Sequence, residues 1–345
     1  MTQPEDKRVV VVDTGYASYD QEREILGRSG YSLELFGGDR LDTAGKAAFA
    51  YGATGMLVRW TTVDGAFLDT ASTLKAIVRY GVGHDNIDLA AAAARGIAVC
   101  NVQGYANHSV SDHALALVLA CVRNLRSGMA QLRPNYTAAP NAYMPELREM
   151  TLGIIGLGRI GGTLCTKARG LFKRVMACDP YVPAGRFSKL GAEACSLDEL
   201  LAASDVVSLH CNLTNETHHL LDAAAFGRMR PNVVVINTAR GPVMDEDALT
   251  AALEAGKVFA AGLDVFEDEP PLSNRDPLLL HPRVVATGHY AWYSERASFE
   301  LQRRAALNLE AMLRGELPED CLNRDGLRGT MRWKSVSTGH GLHGE

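Results

Sequence analysis

Residues 151–179, TLGIIGLGRIGGTLCTKARGLFKRVMACD, constrain the fold of this chain more than any other stretch. Two short apolar runs, residues 152–155 and 175–178, flank a glycine-rich turn and a helical segment that continues to about Phe172. This order is typical of a strand, a tight turn, a helix and a second strand. Units of this kind build parallel sheets with helices on both faces.

The turn has glycine at each position where a bound dinucleotide requires it. Gly156 makes the sharp turn, Gly158 lets the backbone approach a pyrophosphate, and Gly161 lets the helix pack closely on the strand. The helix N-terminus offers N–H groups and a positive dipole end to the phosphates. Asp179 follows Gly156 by 23 positions (179 − 156), where a carboxylate bonds both ribose hydroxyls and repels a 2′-phosphate. The pattern predicts NAD binding; a purely structural glycine turn, the alternative, does not account for Asp179.

The composition indicates a globular protein large enough for two domains. The chain has 345 residues, of which 47% are hydrophobic and 22% charged, and its net charge is −5. It has no run of Lys and Arg, so a nucleic-acid partner is not expected. No apolar stretch approaches the roughly 20 residues that span a membrane, and the polar N-terminus does not resemble a signal peptide. The seven cysteines lack metal-site spacing. We therefore expect a cytoplasmic protein with reduced cysteines and no metal.

Alternating apolar runs and helical segments indicate two α/β units. The predicted strands of the first unit are residues 9–12, 33–36, 55–58, 74–78 and 97–100. The later strands of the second unit are residues 206–209, 233–236, 260–265 and 284–287. The predicted fold class is α/β, with two doubly wound parallel sheets: a Rossmann NAD-binding domain inserted in a flavodoxin-like substrate domain.

Helices are predicted from periodicity and from end signals. A long amphipathic helix is expected over residues 107–128, with Leu125 near its apolar face. Residues 196–199, Ser-Leu-Asp-Glu, form a capping box before another helix. A helix over 245–255 is expected to end at Gly256.

We expect the first unit to be discontinuous in sequence. The last helix, residues 294–314, follows the final strand of the second unit and is expected to cross back. The substrate domain then comprises residues 1–101 and 292–330, and the NAD-binding domain residues 102–291, with a hinge at the two crossings. Residues 331–345 are expected to form a disordered tail.

Open α/β sheets bind ligands at the carboxyl ends of their strands. Arg240 follows the strand at 233–236, where a guanidinium can grip a carboxylate with two contacts. An acidic segment, residues 267–269, follows the next strand. His289 follows the last strand, where an imidazole can exchange a proton near neutral pH. A surface arginine and a structural histidine are the alternatives, but the combination indicates hydride transfer at a carbonyl next to a carboxylate.

Two strand ends of the first unit carry further candidates. One is followed by a segment whose glycines leave N–H groups for an anion-binding nest. Its candidate substrate-binding residues are Arg79, Tyr80, Gly81, Val82 and Gly83. Arg59 follows another strand; the alternative for it is an ordinary surface charge.

Several segments in this order resemble the D-isomer-specific 2-hydroxyacid dehydrogenase family, over residues from about 8 to 325. The matching segments are VRYGVGHDNID (78–88), GIAVCNV (96–102), TLGIIGLGRIG (151–161), NTARGPVMDEDAL (237–249), GLDVFEDEP (262–270) and GHYAWYSERAS (288–298). Within the family the chain is most similar to the branch that includes C-terminal binding protein.

The resemblance implies three catalytic residues. Arg240 resembles the arginine that holds the substrate carboxylate and keto oxygen. His289 resembles the general acid that protonates the keto oxygen during reduction, and Glu269 the acid that orients and charges it. Glutamate at 269 also argues against a formate dehydrogenase, where glutamine is expected. The family usually has proline directly before the catalytic histidine, whereas this chain has Gly288.

The resemblance also implies binding roles. Arg159 and Ile160 resemble the backbone contacts to the pyrophosphate, Asp264 the acid near the nicotinamide carboxamide, and Trp292 an aromatic wall of the pocket. The residues assigned to NAD are Gly156, Gly158, Arg159, Ile160, Gly161, Asp179, Cys211, Thr217, Thr238, Ala239, Asp264 and His289.

The predicted function is NAD-dependent hydride transfer between a small 2-oxoacid and a D-2-hydroxyacid. Arg59, Arg79 and Arg240 are expected to converge on one pocket, which favours a substrate with a second acidic group such as phosphate or phosphonate. The alternative is an NAD(H)-sensing, corepressor-like binding protein on the same scaffold. The resemblance further implies a homodimer through the NAD-binding domain, with the helix from Asn107 and the loop 133–150 as candidate contacts.

Overall fold

A computed structural model describes residues 7–130, 143–269, 277–327 and 334–335. The chain divides into two compact units. Unit 1 comprises Met1–Tyr105 and Glu295–Glu345, and unit 2 comprises Ala106–Ser294.

Strands and helices alternate along most of the chain. The strands are β1 (Arg8–Val11), β2 (Ser32–Leu35), β3 (Gly55–Val58), β4 (Ala76–Arg79), β5 (Ala98–Cys100), β6 (Thr151–Ile155), β7 (Arg174–Cys178), β8 (Glu193–Ala194), β9 (Val206–Leu209), β10 (Val233–Asn237), β11 (Val258–Leu263), β12 (Val284–Ala286), β13 (Glu316–Leu317) and β14 (Lys334–Ser335). The helices are α1 (Asp20–Arg28), α2 (Thr43–Ala50), α3 (Gly65–Thr70), α4 (Leu89–Ala94), α5 (Asn107–Val122), α6 (Leu125–Ala130), α7 (Arg159–Ala168), α8 (Ala184–Leu190), α9 (Leu197–Ala203), α10 (Ala223–Arg228), α11 (Glu246–Glu254), α12 (Pro277–Leu280) and α13 (Glu295–Leu313).

Unit 1 contains a five-stranded parallel sheet in the order β2-β1-β3-β4-β5. This is the flavodoxin-like order. All four residues of β3 are buried, as expected for a parallel strand covered on both faces. Helix α13 packs against α1, β3 and β4 of the same unit.

Unit 2 contains a seven-stranded parallel sheet in the order β12-β11-β10-β9-β6-β7-β8. Strand β6 pairs with β7 on one side and with β9 on the other. The strand order therefore runs outward in opposite directions from the pair β6 and β9. The carboxyl ends of these two strands are therefore the topological switch point, where ligands of open α/β sheets bind.

The predicted fold class is confirmed in both units. β3 and β9 match the predicted bounds, and the capping box of Ser196 and Glu199 is formed at α9. Gly256 adopts φ +71° directly after the C-cap residue of α11, which is the conformation that ends many helices.

The single long helix predicted over residues 107–128 is wrong. α5 ends at Val122, and Asn124 has φ +49° and donates its N–H to the carbonyl oxygen of Cys121 at 3.0 Å. Asparagine enters the left-handed region more readily than most residues, so it breaks the helix there. Leu125, predicted on the apolar face, is 51% exposed at the start of α6.

The predicted loop 133–150 and the predicted tail lie mostly outside the described residues. Within the tail, Lys334 and Ser335 form β14, which pairs in parallel with β13, so these two residues are extended strand rather than disorder. None of the helices in the described ranges combines the length and the low polarity needed to cross a lipid bilayer.

Candidate active site

The glycine turn, residues 156–161, joins β6 to α7 at the switch point of unit 2. Gly156 has φ +92°, and a Cβ there would lie 2.6 Å from the amide nitrogen of Cys211. A Cβ at Gly161 would lie 2.0 Å from the carbonyl oxygen of Gly156. A Cβ at Gly158 would meet nothing within 4 Å. The turn therefore needs glycine at two positions to fold, and the space beside the third is open to a ligand.

The open space adjoins the start of α7, whose first two residues are Arg159 and Ile160. The N–H groups of a first helical turn have no partner within their own helix. They suit an anionic group, and the glycine turn beside them has the shape that a pyrophosphate requires.

Asp179 lies just after β7 and is tied to the glycine turn. Its Oδ2 accepts the N–H of Leu157 at 2.8 Å, and its Oδ1 accepts the N–H of Tyr181 at 3.0 Å. The carboxylate is thereby fixed at the edge of the turn, where it can also accept from ribose hydroxyls.

Arg186 of α8 is a contact to this turn that sequence reasoning missed. Its Nε donates to the carbonyl oxygen of Leu157 and its Nη2 to that of Gly158, both at 3.0 Å. No local motif marks this arginine, because the contact exists only once α8 has folded back onto the turn.

Three further predicted cofactor residues, Cys211, Thr217 and Thr238, follow β9 and β10. Burial raises the pKa of Cys211 to about 11, so its thiol is protonated at neutral pH. Thr217 Oγ1 donates to the carbonyl oxygen of Asn212 at 2.6 Å and so stabilises its own loop. Within the described residues, Thr238 Oγ1 is buried without a hydrogen-bond partner. Buried polar atoms are nearly always paired, so this hydroxyl fits a site for a polar ligand.

The side chains of His289 and Glu269 are hydrogen-bonded to each other in unit 2. Nδ1 of His289 lies 2.5 Å from Oε2 of Glu269, and Oε1 of Glu269 accepts the N–H of Phe266 at 3.1 Å. Burial by itself raises the pKa of Glu269, but the hydrogen bond and charge of His289, the N–H of Phe266 and the charge of Arg240 outweigh it and lower the pKa. The carboxylate is therefore ionised at neutral pH and orients the imidazole.

Asp264 organises the loop that carries His289. It is 1% exposed and accepts hydrogen bonds from the hydroxyl of Thr287 at 2.5 Å and from the N–H groups of Tyr290 and Ala291 at 3.1 and 2.9 Å. Its carbonyl oxygen accepts the N–H of His289 at 2.7 Å. Both carboxylate oxygens thus have partners within the protein, and the role evident in the geometry is support of the His289 loop.

Arg240 lies in the segment that follows β10. Its Nη1 donates to the carbonyl oxygen of Ala239 at 2.8 Å, and Nδ2 of the buried Asn237 donates to the carbonyl oxygen of Arg240 at 2.9 Å. Its charge contributes to the lowered pKa of Glu269. Unit 2 therefore places the charge of Arg240 near the Glu269–His289 pair, and the catalytic roles of these three residues stay predictions.

The guanidinium of Arg59 in unit 1 lies beside two aromatic rings and is not an isolated surface charge. Its guanidinium carbon is 5.5 Å from the ring centre of Tyr16 and 4.9 Å from that of Trp60. Within the described residues, Tyr16 Oη and Trp60 Nε1 are buried without hydrogen-bond partners. Neither residue follows a recognisable sequence motif, so neither could be predicted as part of a site.

A buried carboxylate fixes the backbone at Arg59. Oδ2 of Asp13 accepts the N–H groups of Arg59, Trp60 and Thr61 at 2.8, 2.9 and 2.9 Å. Its Oδ1 accepts from Nζ of Lys46 at 2.8 Å. Burial by itself raises the pKa of Asp13, but Lys46 and the other donors outweigh it and lower the pKa.

The segment after β4 differs in two respects from the predicted nest. The N–H of Gly81 donates to the carbonyl oxygen of Arg79 at 2.9 Å, so it is used inside the turn. The Tyr80 side chain is 1% exposed and donates its hydroxyl to Glu22 at 2.8 Å, so it belongs to the core. The carbonyl oxygen of Val82 accepts Nδ2 of Asn101 at 2.6 Å. Of the predicted nest, the N–H groups of Val82 and Gly83 stay candidates for binding an anion.

Trp292 of unit 2 is half-buried and meets the ring of Tyr293 edge-on, with 5.5 Å between ring centres. In the described parts of the chain, no three His, Cys, Asp or Glu side chains are grouped as metal ligands.

Comparisons with known proteins identify the family of the chain. The family model for the D-isomer-specific 2-hydroxyacid dehydrogenase NAD-binding domain matches residues 115–291. D-3-phosphoglycerate dehydrogenase of Mycobacterium leprae is 40% identical over 275 residues, which are 79% of this chain and 52% of that protein. The chain thus spans about half the length of the curated relatives it matches.

Two solved structures match nearly the whole chain. A Thermus thermophilus protein is 34% identical with a TM-score of 0.82, covering 91% of this chain and 99% of that one. D-lactate dehydrogenase of Aquifex aeolicus, crystallised with NAD and lactic acid, is 28% identical with a TM-score of 0.80, covering 93% and 98%. The chain belongs to the D-isomer-specific 2-hydroxyacid dehydrogenase family, and unit 2 contains the family's NAD-binding domain.

Proposed function

We propose that this protein is an NAD-dependent oxidoreductase that interconverts a small 2-oxoacid and a D-2-hydroxyacid. The observation that carries the proposal is the grouping of Arg240, Glu269 and His289 in the unit whose glycine turn and Asp179 fit NAD. When bound, NADH supplies the hydride, and the chain's own residues supply binding and proton transfer.

Each of the three residues has a distinct task in the proposed reduction. Arg240 binds the substrate carboxylate and polarises the keto oxygen, because a guanidinium offers several donors in one plane. His289 gives a proton to that oxygen as the carbonyl carbon is reduced. Glu269, ionised at neutral pH, holds the imidazole by its Nδ1. In the oxidation direction His289 accepts the proton.

We further propose that Asp179 selects NAD over NADP. Its carboxylate, held by the N–H groups of Leu157 and Tyr181, accepts from the adenosine ribose hydroxyls. A 2′-phosphate in the same place would meet a fixed negative charge.

For the substrate, we propose a second acidic group such as phosphate or phosphonate. Unit 1 would serve as the substrate domain, with Arg59 and Arg79 binding this group together with the N–H groups of Val82 and Gly83. The aromatic rings beside Arg59 and its clamped backbone support a binding role over a free surface charge. The name of the Mycobacterium leprae relative, a phosphoglycerate dehydrogenase, is consistent with this chemistry.

The test is NADH oxidation by the purified protein with a panel of 2-oxoacids. Phosphohydroxypyruvate and phosphonopyruvate would represent acidic tails, and glyoxylate, pyruvate, hydroxypyruvate and an aryl pyruvate the others. We expect turnover, fastest with an acidic tail, and a raised KM for that substrate in Arg59→Ala. Preference for an uncharged tail with an unchanged KM in Arg59→Ala would refute the acidic-group proposal. Tight NADH binding without any turnover would favour the sensor function instead.

We also propose a cytoplasmic homodimer. Large apolar side chains of unit 2 are exposed along α5 and α6 and in the segment before β6: Leu119, Leu125, Met129 and Tyr143 are between 38% and 77% exposed. Burying exposed apolar side chains against a second copy is favourable. Light scattering should give twice the monomer mass, and Leu125→Lys with Met129→Glu should shift the protein toward monomer; a monomeric wild type would refute the dimer.

A further inference from the structure

His219 lies between β9 and α10 in unit 2 and has no place in the roles assigned so far. Its backbone has φ +49°, in the left-handed region. A residue other than glycine stays in that region only where surrounding contacts impose it. The contacts of His219 therefore indicate what holds it there.

The backbone of this segment runs along the loop that follows Arg240. The N–H of His219 donates to the carbonyl oxygen of Pro242 at 2.8 Å. The N–H of Leu221 then donates to the carbonyl oxygen of Val243 at 3.2 Å, and the carbonyl oxygen of Leu221 accepts the N–H of Asp245 at 3.1 Å. These bonds fix the His219 segment to the Arg240 loop.

The side chain of His219 reaches a second loop, the one that carries Glu269. Its Nε2 lies 3.0 Å from Oε1 of Glu267, and its Nδ1 lies 3.8 Å from Oδ2 of Asp245. His218 stacks on the imidazole, with 4.2 Å between ring centres. His219 thus faces two carboxylates, one beside each loop.

The two loops are also in direct contact. A Cβ on Gly241 would lie 1.9 Å from the carbonyl carbon of Phe266. The N–H of Glu267 donates to Oε1 of Glu246 at 2.8 Å, and the N–H of Glu246 donates to Oε1 of Glu267 at 3.2 Å. Oε1 of Glu267 therefore accepts the N–H of Glu246 and also contacts Nε2 of His219.

We propose that His219 is a positioning residue for hydride transfer, which holds the Arg240 loop against the Glu269 loop through Pro242 and Glu267. Arg240 lies two positions before Pro242, and Glu269 two positions after Glu267. A shift between these loops displaces the carboxylate-binding arginine from the proton-donating pair. His219 itself does not touch the substrate in this account, which rests on the proposed function.

The experiment compares His219→Asn, His219→Gln and His218→Ala in the full chain, using a 2-oxoacid that the wild type reduces. Asparagine tolerates the left-handed backbone but is too short to reach Glu267, whereas the glutamine amide places a donor near the position of Nε2. The alanine control removes the stacked neighbour and leaves the contact with Glu267. The readouts are kcat, the KM of the 2-oxoacid and the Kd of NADH from fluorescence.

We expect His219→Asn to lower kcat/KM by about tenfold to a hundredfold, the scale of a misplaced catalytic group. The loss should appear in both kcat and KM, with the Kd of NADH within about twofold of wild type. His219→Gln should recover most of it, and His218→Ala should differ little from wild type. If His219→Asn does not fold, Glu267→Ala should give the same pattern.

Several results would overturn the proposal. One is a His219→Asn enzyme within about twofold of His218→Ala in kcat/KM. Another is a loss confined to kcat, matched by a lower fraction of folded enzyme and not restored by glutamine, since that marks a structural role. A wild type that turns over no 2-oxoacid overturns the proposed function itself, and the proposal for His219 falls with it.

Discussion

Nδ1 of His289 lies 2.5 Å from Oε2 of Glu269. The backbone of His289 has φ +53°, in the left-handed region. The strain of this conformation is balanced by the N–H of His289, which donates to the carbonyl oxygen of Asp264 at 2.7 Å. The imidazole is thus fixed at one nitrogen, and Nε2 remains for the reacting oxygen. Removing either partner should affect proton transfer without affecting the glycine turn.

His289→Gln should reduce kcat by roughly 10²–10⁴-fold, the usual contribution of a general acid. Glu269→Gln should reduce kcat less, because the imidazole stays present but is less firmly oriented. The Kd of NADH should stay near the wild-type value in both. Steady-state kinetics and fluorescence titration check this, and near-full activity of His289→Gln would exclude the assigned role.

Asp179→Ser should weaken NADH binding by about tenfold or more, since hydrogen bonds to a charged group contribute about 1.5–3 kcal/mol. The kcat/KM for NADPH should rise relative to that for NADH, because the fixed negative charge is gone. The measurement is kcat/KM for both cofactors with one 2-oxoacid. A ratio of NADH to NADPH use that does not change would show that Asp179 does not select the cofactor.

Asp13→Asn tests the buried carboxylate that fixes the backbone at Arg59. The lowered pKa of Asp13 means that its ionised form stabilises the fold above its ordinary pKa of 3.8, and that this contribution is lost as the pH falls through the folded-state pKa. The variant should lose about 3 kcal/mol or more at neutral pH, since Lys46 stays buried without its partner. The difference in melting temperature between the wild type and Asp13→Asn should be largest at pH 6–8 and should shrink below about pH 4. An equal gap at all pH values would contradict the assignment.

Gly288→Ala should be tolerated. A Cβ there would meet nothing within 4 Å, and the left-handed strain belongs to His289 rather than to Gly288. Replacing a glycine in a compatible conformation stabilises by about 0.4–1 kcal/mol through the unfolded state, a rise of roughly 1–3 °C in melting temperature. Gly156→Ala is the contrasting variant and should lose NADH binding. A destabilised Gly288→Ala would mean that the loop needs glycine.

The sequence predicted what depends on local pattern. The parallel strands and the glycine turn are visible because buried strands read as apolar runs and dinucleotide turns need glycine at fixed spacing. Arg240, Glu269 and His289 could be grouped from the sequence, since the carboxyl ends of neighbouring parallel strands lie along one edge of a sheet. These roles remain predictions until the variants are measured.

Contacts that join distant parts of the chain were not predictable. Asp13 gains its role from N–H groups 46 to 48 positions away, and Arg186 from a helix that folds back onto the glycine turn. The effect of Gly288 in place of the usual proline could not be predicted either: the strained residue is its neighbour His289, whose N–H donates to the carbonyl oxygen of Asp264. Likewise, helical periodicity did not reveal the break at Asn124.

The most direct test of the proposed reaction follows the transferred hydrogen. The protein is mixed with NADH that carries two deuterium atoms at C4 of the nicotinamide ring and with a 2-oxoacid from the panel other than glyoxylate, whose product is achiral. The product is resolved on a chiral column with mass detection. We predict a D-2-hydroxyacid with one deuterium at C2, and no C2 label when unlabelled NADH is used in deuterated water. An L or racemic product, or a C2 hydrogen that comes from solvent, would contradict the account.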